Sequence, residues 1–184
     1  VSPPMPGVSV RRNQAASDFG ISLGGALYLG WIGAYLISLR NLENGIQWLL
    51  LSLAVVWAAD TAAYFIGVRF GKHRLSPRLS PKKSWEGYLA GVVAGVAMGP
   101  LLGWAFGLWS GPASGIDAWK GLILGLVLAS LTTLGDLGES LFKRQAGVKD
   151  SSNLLPGHGG VFDRVDSWLW AAVIGYYLIT IFFI

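Results

Sequence analysis

The chain of 184 residues is 53% hydrophobic and only 13% charged, and it contains no cysteine. Soluble domains average about 25% charged residues, so this composition excludes an ordinary water-soluble globule, and its apolar content also excludes a disordered chain. The lack of cysteine excludes disulfide scaffolds, thiolate metal sites and cysteine nucleophiles. An integral membrane protein remains, in which the net charge of +4 matters through its placement.

Five stretches are long and apolar enough to cross a membrane as helices, which takes about 20 residues each. Before them, residues 1–17 are predicted to form an exposed lead. Because the chain begins without an initiator Met or a signal-peptide pattern, we expect a fragment of a longer chain or a trimmed form of one. The predicted membrane catalytic domain, 18–184, holds the five spans, at 19–39, 46–68, 88–109, 119–141 and 167–184.

The predicted fold class is all-α, a polytopic transmembrane helical bundle with about five spans and two catalytic loops. Helices are expected because each backbone polar group must be paired inside lipid. Glycine recurs every four residues from Gly87 to Gly107, in the third span. This spacing places small residues on nearly one helix face and predicts close packing against a neighbouring backbone.

Basic residues are strongly segregated if the spans alternate in direction. Only Arg40 and Lys120 of the 14 basic residues then fall on one side. The positive-inside rule places the other side, with both long loops, in the cytoplasm. We expect a multi-pass protein of the cell (inner) membrane whose site faces the cytoplasm. The basic residues of that side are Arg11, Arg12, Arg69, Lys72, Arg74, Arg78, Lys82, Lys83, Lys143, Arg144, Lys149 and Arg164.

Carboxylates within or beside the spans are candidates for a metal site, because charge in a membrane is costly and marks function by default. Four or five of them at one depth would repel one another without a cation, and oxygen ligands favour Mg²⁺ or Ca²⁺. Asp60 could instead accept a structural hydrogen bond from another helix. The candidate acids are Asp60, Asp136, Glu139, Asp163 and Asp166.

Basic and hydroxyl side chains in the two loops complete the pattern of a polyphosphate site, because cations offset charge that develops during phosphoryl or nucleotidyl transfer. The 69–87 loop contributes Ser80, Lys82, Lys83 and Ser84. Glu139 and Lys143 could alternatively form only an i,i+4 helix pair. The 142–166 loop contributes Lys143, Arg144, Lys149, His158 and Arg164, with Gly157, Gly159 and Gly160 allowing a ligand to approach the backbone.

Three segments resemble the phosphatidate cytidylyltransferases (CDP-diacylglycerol synthases). The longest resemblance is to that family's signature, over residues 140–166, where SLFKR, KD and PGHGGVFDRVD stand at the family's spacings. Residues 59–72 (ADTAAY followed by Gly67 and Gly71-Lys72) resemble its membrane-end motif. Residues 79–87 (LSPKKSWEG) resemble its basic loop. The resemblance covers roughly residues 20–184, and it implies that the chain is the C-terminal part of a longer family chain with further N-terminal spans.

The resemblance implies transfer of CMP from CTP to phosphatidate by a Mg²⁺-dependent, homodimeric membrane enzyme, with a second monovalent cation such as K⁺ near the acids. It implies that the acids hold Mg²⁺, with Asp60 in a metal-site or supporting position. Ser80, Lys82, Lys83, Ser84, Gly159 and Gly160 would bind substrate. The expected catalytic residues are Lys143, Arg144, Lys149, Asp150, His158 and Arg164.

Three alternatives stay open at this point. The same chemistry could act on another lipid, as in CDP-archaeol synthases, which would differ only in lipid-facing grooves. A cation or proton transporter would also use intramembrane acids, but it would spread them through the depth of the bilayer. The chain could also lack activity on its own. A nucleic-acid partner is not expected.

Overall fold

The computed structural model describes residues 15–77, 79–145 and 162–184. Most of the expected lead, residues 1–14, lies outside them, so its exposure stays a prediction. Five long helices correspond to the five predicted spans. They are α1 (Ala15–Arg40), α2 (Gly45–Phe70), α3 (Trp85–Ser110), α4 (Ala118–Gln145) and α5 (Phe162–Phe182).

Four of these helices, α1 to α4, are long and apolar enough to cross a membrane, judged by length and composition. The apolar part of α5, Asp166–Phe182, is shorter. The chain is therefore a polytopic helical membrane protein, and the all-α prediction is confirmed. The expected fifth span is a helix, but its apolar stretch is the shortest of the five.

The loop between α2 and α3 contains a β-hairpin that the sequence analysis did not predict. Strand β1 (Arg74–Ser76) pairs antiparallel with β2 (Ser80–Ser84), with an irregularity between Arg74 and Ser76. At the end of β2, the Ser84 side chain accepts a hydrogen bond from the backbone N–H of Gly87, 3.2 Å away. Ser84 is thus the N-cap of α3, and the hairpin leads directly into that helix.

The glycine repeat brings α3 against two neighbours, as predicted. Gly87, Gly91, Gly95, Gly99 and Gly103 are all buried. A methyl group added at Gly91 would lie 2.9 Å from the backbone oxygen of Ala59 in α2, and one at Gly99 would meet the backbone oxygen of Gly121 in α4. Only glycine permits such an approach of two backbones.

Contacts between loops show which ends of the helices lie together. The Asn44 side chain, before α2, donates to the backbone oxygen of Ser114, before α4, at 3.3 Å. Lys120 Nζ donates to the oxygen of Phe183, at the end of α5, at 3.2 Å. The hairpin, the end of α4 and the start of α5 therefore share the other end, as the alternation of spans predicted.

Candidate active site

A cavity of about 600 Å³ lies at the hairpin end of the bundle. Its wall combines carboxylates from three helices with lysines from the hairpin, in a protein whose described surface is otherwise rich in exposed apolar side chains. The close packing of α3 against α2 and α4 brings these elements together. The predicted site residues that line the cavity are Asp60, Ser80, Lys82, Lys83, Ser84, Asp136 and Asp166.

An ion pair between β2 and α4 stands at the centre of the cavity wall. Lys83 Nζ donates to Asp136 Oδ2 at 2.9 Å, and the two side chains are only 29% and 16% exposed. The other oxygen of the same carboxylate, Oδ1, accepts from Ser167 Oγ, also at 2.9 Å. Because the pair is partly removed from water, its Coulomb attraction is less screened than that of an exposed pair, but both charges also lose hydration, and removing one partner would leave the other charge uncompensated.

The start of α5 supplies the third carboxylate. Asp166 Oδ1 accepts the backbone N–H of Ser167 at 2.7 Å, so one acidic side chain is held close to the hydroxyl that bonds Asp136. Asp60 reaches the same cavity from α2, two helical turns or more before the end of that helix. The three acids come from three separate helices, and tertiary packing alone brings them together.

Two of the predicted substrate-binding residues, Ser84 and Lys82, line the cavity from β2. Ser84 is 3% exposed and caps α3, so its hydroxyl already accepts one backbone hydrogen bond while it lines the cavity. Lys82 lies beside it on β2 and is exposed at the cavity mouth. Their roles toward a substrate stay predictions.

The remaining predicted residues fall outside what the structure describes. Helix α4 includes positions 139, 143 and 144, and helix α5 includes 163 and 164, but the side chains of Glu139, Lys143, Arg144, Asp163 and Arg164 are not among those described. Both interpretations of Glu139 and Lys143, a helix pair or part of the site, thus stay predictions. The structure does not describe even the backbone of five other predicted site residues, which are Lys149, Asp150, His158, Gly159 and Gly160.

Several lining residues were not assigned from the sequence, among them Ser167, Thr133 and Tyr88. Ser167 directly follows Asp166, and Thr133 precedes Asp136 by three residues, so each shares a turn of helix with a predicted acid. Proximity to those acids was the available signal. The sequence offered no signal for Tyr88, because an aromatic residue at the start of an apolar span is typical of a membrane interface.

The donor chemistry of the cavity suits a magnesium ion, since carboxylate oxygens are hard ligands. Among the side chains that the structure describes, no group of three or more His, Cys, Asp or Glu is close enough to hold a metal. Both oxygens of Asp136 are engaged, by Lys83 and by Ser167. The described residues therefore provide suitable donors but not a complete ligand set.

The fold and this site define a polytopic helical membrane protein with acids and lysines converging at one end of the bundle. The chain belongs to the cytidylyltransferase family, whose model matches residues 5–182.

Several bacterial proteins named phosphatidate cytidylyltransferase are similar to the chain. The protein of Synechocystis is 36% identical over 90% of this chain, and that of Bacillus subtilis is 36% identical over 95%. The protein of Pseudomonas aeruginosa is 48% identical over 78% of the chain. The alignments cover 63%, 63% and 50% of these relatives, so the chain spans only part of their length.

Proposed function

We propose that the chain transfers the CMP group of CTP to phosphatidate, giving CDP-diacylglycerol and pyrophosphate for phospholipid synthesis. The observation that supports this proposal is the cavity where Lys82 and Lys83 meet Asp60, Asp136 and Asp166 at one end of membrane helices. A nucleotide is water-soluble and phosphatidate is a membrane lipid. A polar cavity at the end of the spans can receive both.

In the proposed reaction, an oxygen of the lipid phosphate attacks the α-phosphorus of CTP. A new phosphorus–oxygen bond forms, and the bond from that phosphorus to the pyrophosphate oxygen breaks. The attacking oxygen is already anionic near neutral pH, so no protein nucleophile is required. Lys82 and Lys83 would bind phosphate oxygens and stabilise the charge on the leaving pyrophosphate, so catalysis is mainly alignment and electrostatics.

We further propose Mg²⁺ as the cofactor, held by Asp60, Asp136 and Asp166, with Glu139 and Asp163 as additional ligands. When bound, the ion would neutralise charge on the triphosphate. Lys83 would exchange its contact with Asp136 for a contact with phosphate. A second, monovalent cation among these acids, the assignment of Lys143, Arg144, Lys149, Asp150, His158 and Arg164 to catalysis, and a homodimer are parts of the same proposal.

The orientation we propose places the hairpin end on the cytoplasmic side of the cell (inner) membrane. CTP is present on that side. The segregation of basic residues supports this direction. In the described part of the chain, the cavity acids and lysines gather at one end of the spans. A transporter would need them distributed through the bilayer, so the enzyme is favoured.

The experiment is transfer of radiolabelled CMP from CTP to phosphatidate by the purified chain in mixed micelles. We expect Lys83→Met to lower turnover by about 100-fold or more, because it removes a cation that meets developing charge. Lys120→Met is the matched control, since this lysine bonds Phe183 at the opposite end of the bundle. Activity should also disappear with excess EDTA and return with Mg²⁺.

Absence of transfer by the unaltered chain would contradict the proposed function for this chain. Full activity of Lys83→Met would contradict the role of that lysine. Full activity in EDTA would contradict the proposed cofactor.

A further inference from the structure

One residue connects the entrance of the hairpin to the first turn of α3. The Glu86 carboxylate accepts the backbone N–H of His73, with both oxygens near it at 3.2 and 3.3 Å. The same carboxylate lies 2.7 Å from His73 Nδ1, so the ring N–H donates to it as well. Hydrogen bonds to an ionised acceptor are stronger than neutral ones.

His73 is also held from its other side. Its backbone oxygen accepts the N–H of Trp85 at 2.9 Å. Both backbone polar groups of His73 are therefore bonded to two consecutive residues at the start of α3. We call the contacts between His73 and Glu86 the latch.

The position of the latch decides which cavity residues depend on it. Lys83 is next to the helix cap Ser84, so α3 itself holds its backbone. Ser80 and Lys82 lie farther along β2, whose partner β1 begins one residue after His73. Loss of the latch would leave the start of β1 held only by the backbone bond between His73 and Trp85 and by its pairing with β2, so the strand pair beside these two residues would be less firmly held.

We propose that Glu86 is a positioning residue, which acts through His73 to hold the hairpin against the cavity so that Ser80 and Lys82 meet the nucleotide phosphates. This inference rests on the proposed function and goes beyond it, because Glu86 is not part of the cavity wall. Glu86 is 28% exposed and His73 is 78% exposed. The latch thus lies outside the reaction space, where it can be altered without removing a substrate contact.

Three variants should form a graded series in kcat/KM for CTP. Glu86→Ala removes every latch contact and should lower it by about tenfold or more, as expected for loss of charge-assisted hydrogen bonds. Glu86→Gln keeps an acceptor for the backbone N–H but loses the charge. Its kcat/KM for CTP should lie between that of Glu86→Ala and that of the unaltered chain. His73→Ala keeps the backbone contacts and should have the smallest effect.

A mutant cycle separates positioning from loss of stability. If Glu86 acts through Ser80 and Lys82, then adding Glu86→Ala to a chain that already carries Ser80→Ala and Lys82→Ala should change kcat/KM for CTP by no more than about twofold, since coupled residues are not additive. Asp117→Ala is the control. It also removes a carboxylate–backbone hydrogen bond, from Lys120 N at 2.8 Å, but at the opposite end of the protein. It should leave kcat/KM for CTP unchanged.

A distance measurement tests the latch without any activity. The natural chain has no cysteine, so Pro77→Cys in the hairpin turn and Leu89→Cys on the exposed face of α3 take spin labels at those sites alone. The distance distribution should be narrow with Glu86 present and broad in Glu86→Ala. An unchanged distribution, or an effect of Glu86→Ala that stays the same when Ser80→Ala and Lys82→Ala are already present, would overturn the inference. An inactive unaltered chain would contradict the proposed function only, because the distance measurement would still test the latch.

Discussion

Tyr64 and Phe65 are neighbours on α2, and each has 66% of its surface exposed. Tyr64 lines the cavity one helical turn after Asp60, whereas Phe65 packs edge-on against Tyr64 and is not part of the wall. Val68, at 73% exposure, continues the same face toward the helix end. On this side the cavity passes from carboxylate to apolar wall, which suits a lipid whose phosphate and acyl chains enter together.

We predict that Tyr64→Ala raises KM for phosphatidate by about tenfold and leaves KM for CTP unchanged. The reason is loss of roughly 1–2 kcal/mol of apolar contact with the lipid. Phe65→Ala removes an equally exposed ring and should leave both constants unchanged. Steady-state kinetics in mixed micelles at varied lipid mole fraction measures this difference. An unchanged KM for phosphatidate in Tyr64→Ala would contradict contact between this wall and the lipid.

Asp136 illustrates what could be predicted for a single residue. Its cost in a membrane span made it a candidate functional residue from the sequence. Its partner could not be predicted, because Lys83 is 53 positions away in the chain and α4 has many possible neighbours. Ser167 was missed for the same reason, since its importance comes only from its bond to Asp136.

At the scale of elements, the helices were predictable because each apolar stretch must satisfy its own backbone in lipid. The hairpin was not. Its strands are short and polar, and β2 contains Pro81, so no alternating pattern predicts a strand. The strands pair because glycine packing brings the end of α2 close to the start of α3, as seen where a Cβ at Gly67 would lie 3.2 Å from Ser84 Oγ.

The glycine repeat of α3 predicts that alanine lowers the free energy of unfolding at a packed glycine of α3 but not at an unpacked glycine of α1. Gly99→Ala should destabilise the protein by about 1–3 kcal/mol, because its methyl group would meet the backbone of Gly121 and force two helices apart. Gly24→Ala, in α1, has nothing within 4 Å of the added carbon, and it should be neutral or stabilise by about 0.5–1 kcal/mol. Unfolding in mixed micelles by a denaturing detergent measures both. Equal stability of the two variants would contradict the role of the glycine repeat.

At the scale of the whole molecule, charge placement predicts the orientation in the membrane. A single cysteine at Pro77, in the hairpin, should react with a membrane-impermeant maleimide only after cells are permeabilised. A single cysteine at Ala113, in the exposed turn before α4, should react in intact cells. Because the natural chain has no cysteine, each variant reports one position. The reverse pattern would place the hairpin outside the cytoplasm.

The sequence by itself determined the membrane class, the five helices and most of the chemically important residue types, because hydropathy and the cost of buried charge are local properties. It also predicted that the hairpin, the end of α4 and the start of α5 lie at the same end of the bundle, because consecutive spans must alternate in direction. Only the tertiary structure decided that Lys83 pairs with Asp136, that Ser167 donates to the same acid and that Glu86 bonds His73. Those contacts depend on how closely α2, α3 and α4 approach one another. The glycines permit that approach, but their spacing alone does not specify which neighbours they meet.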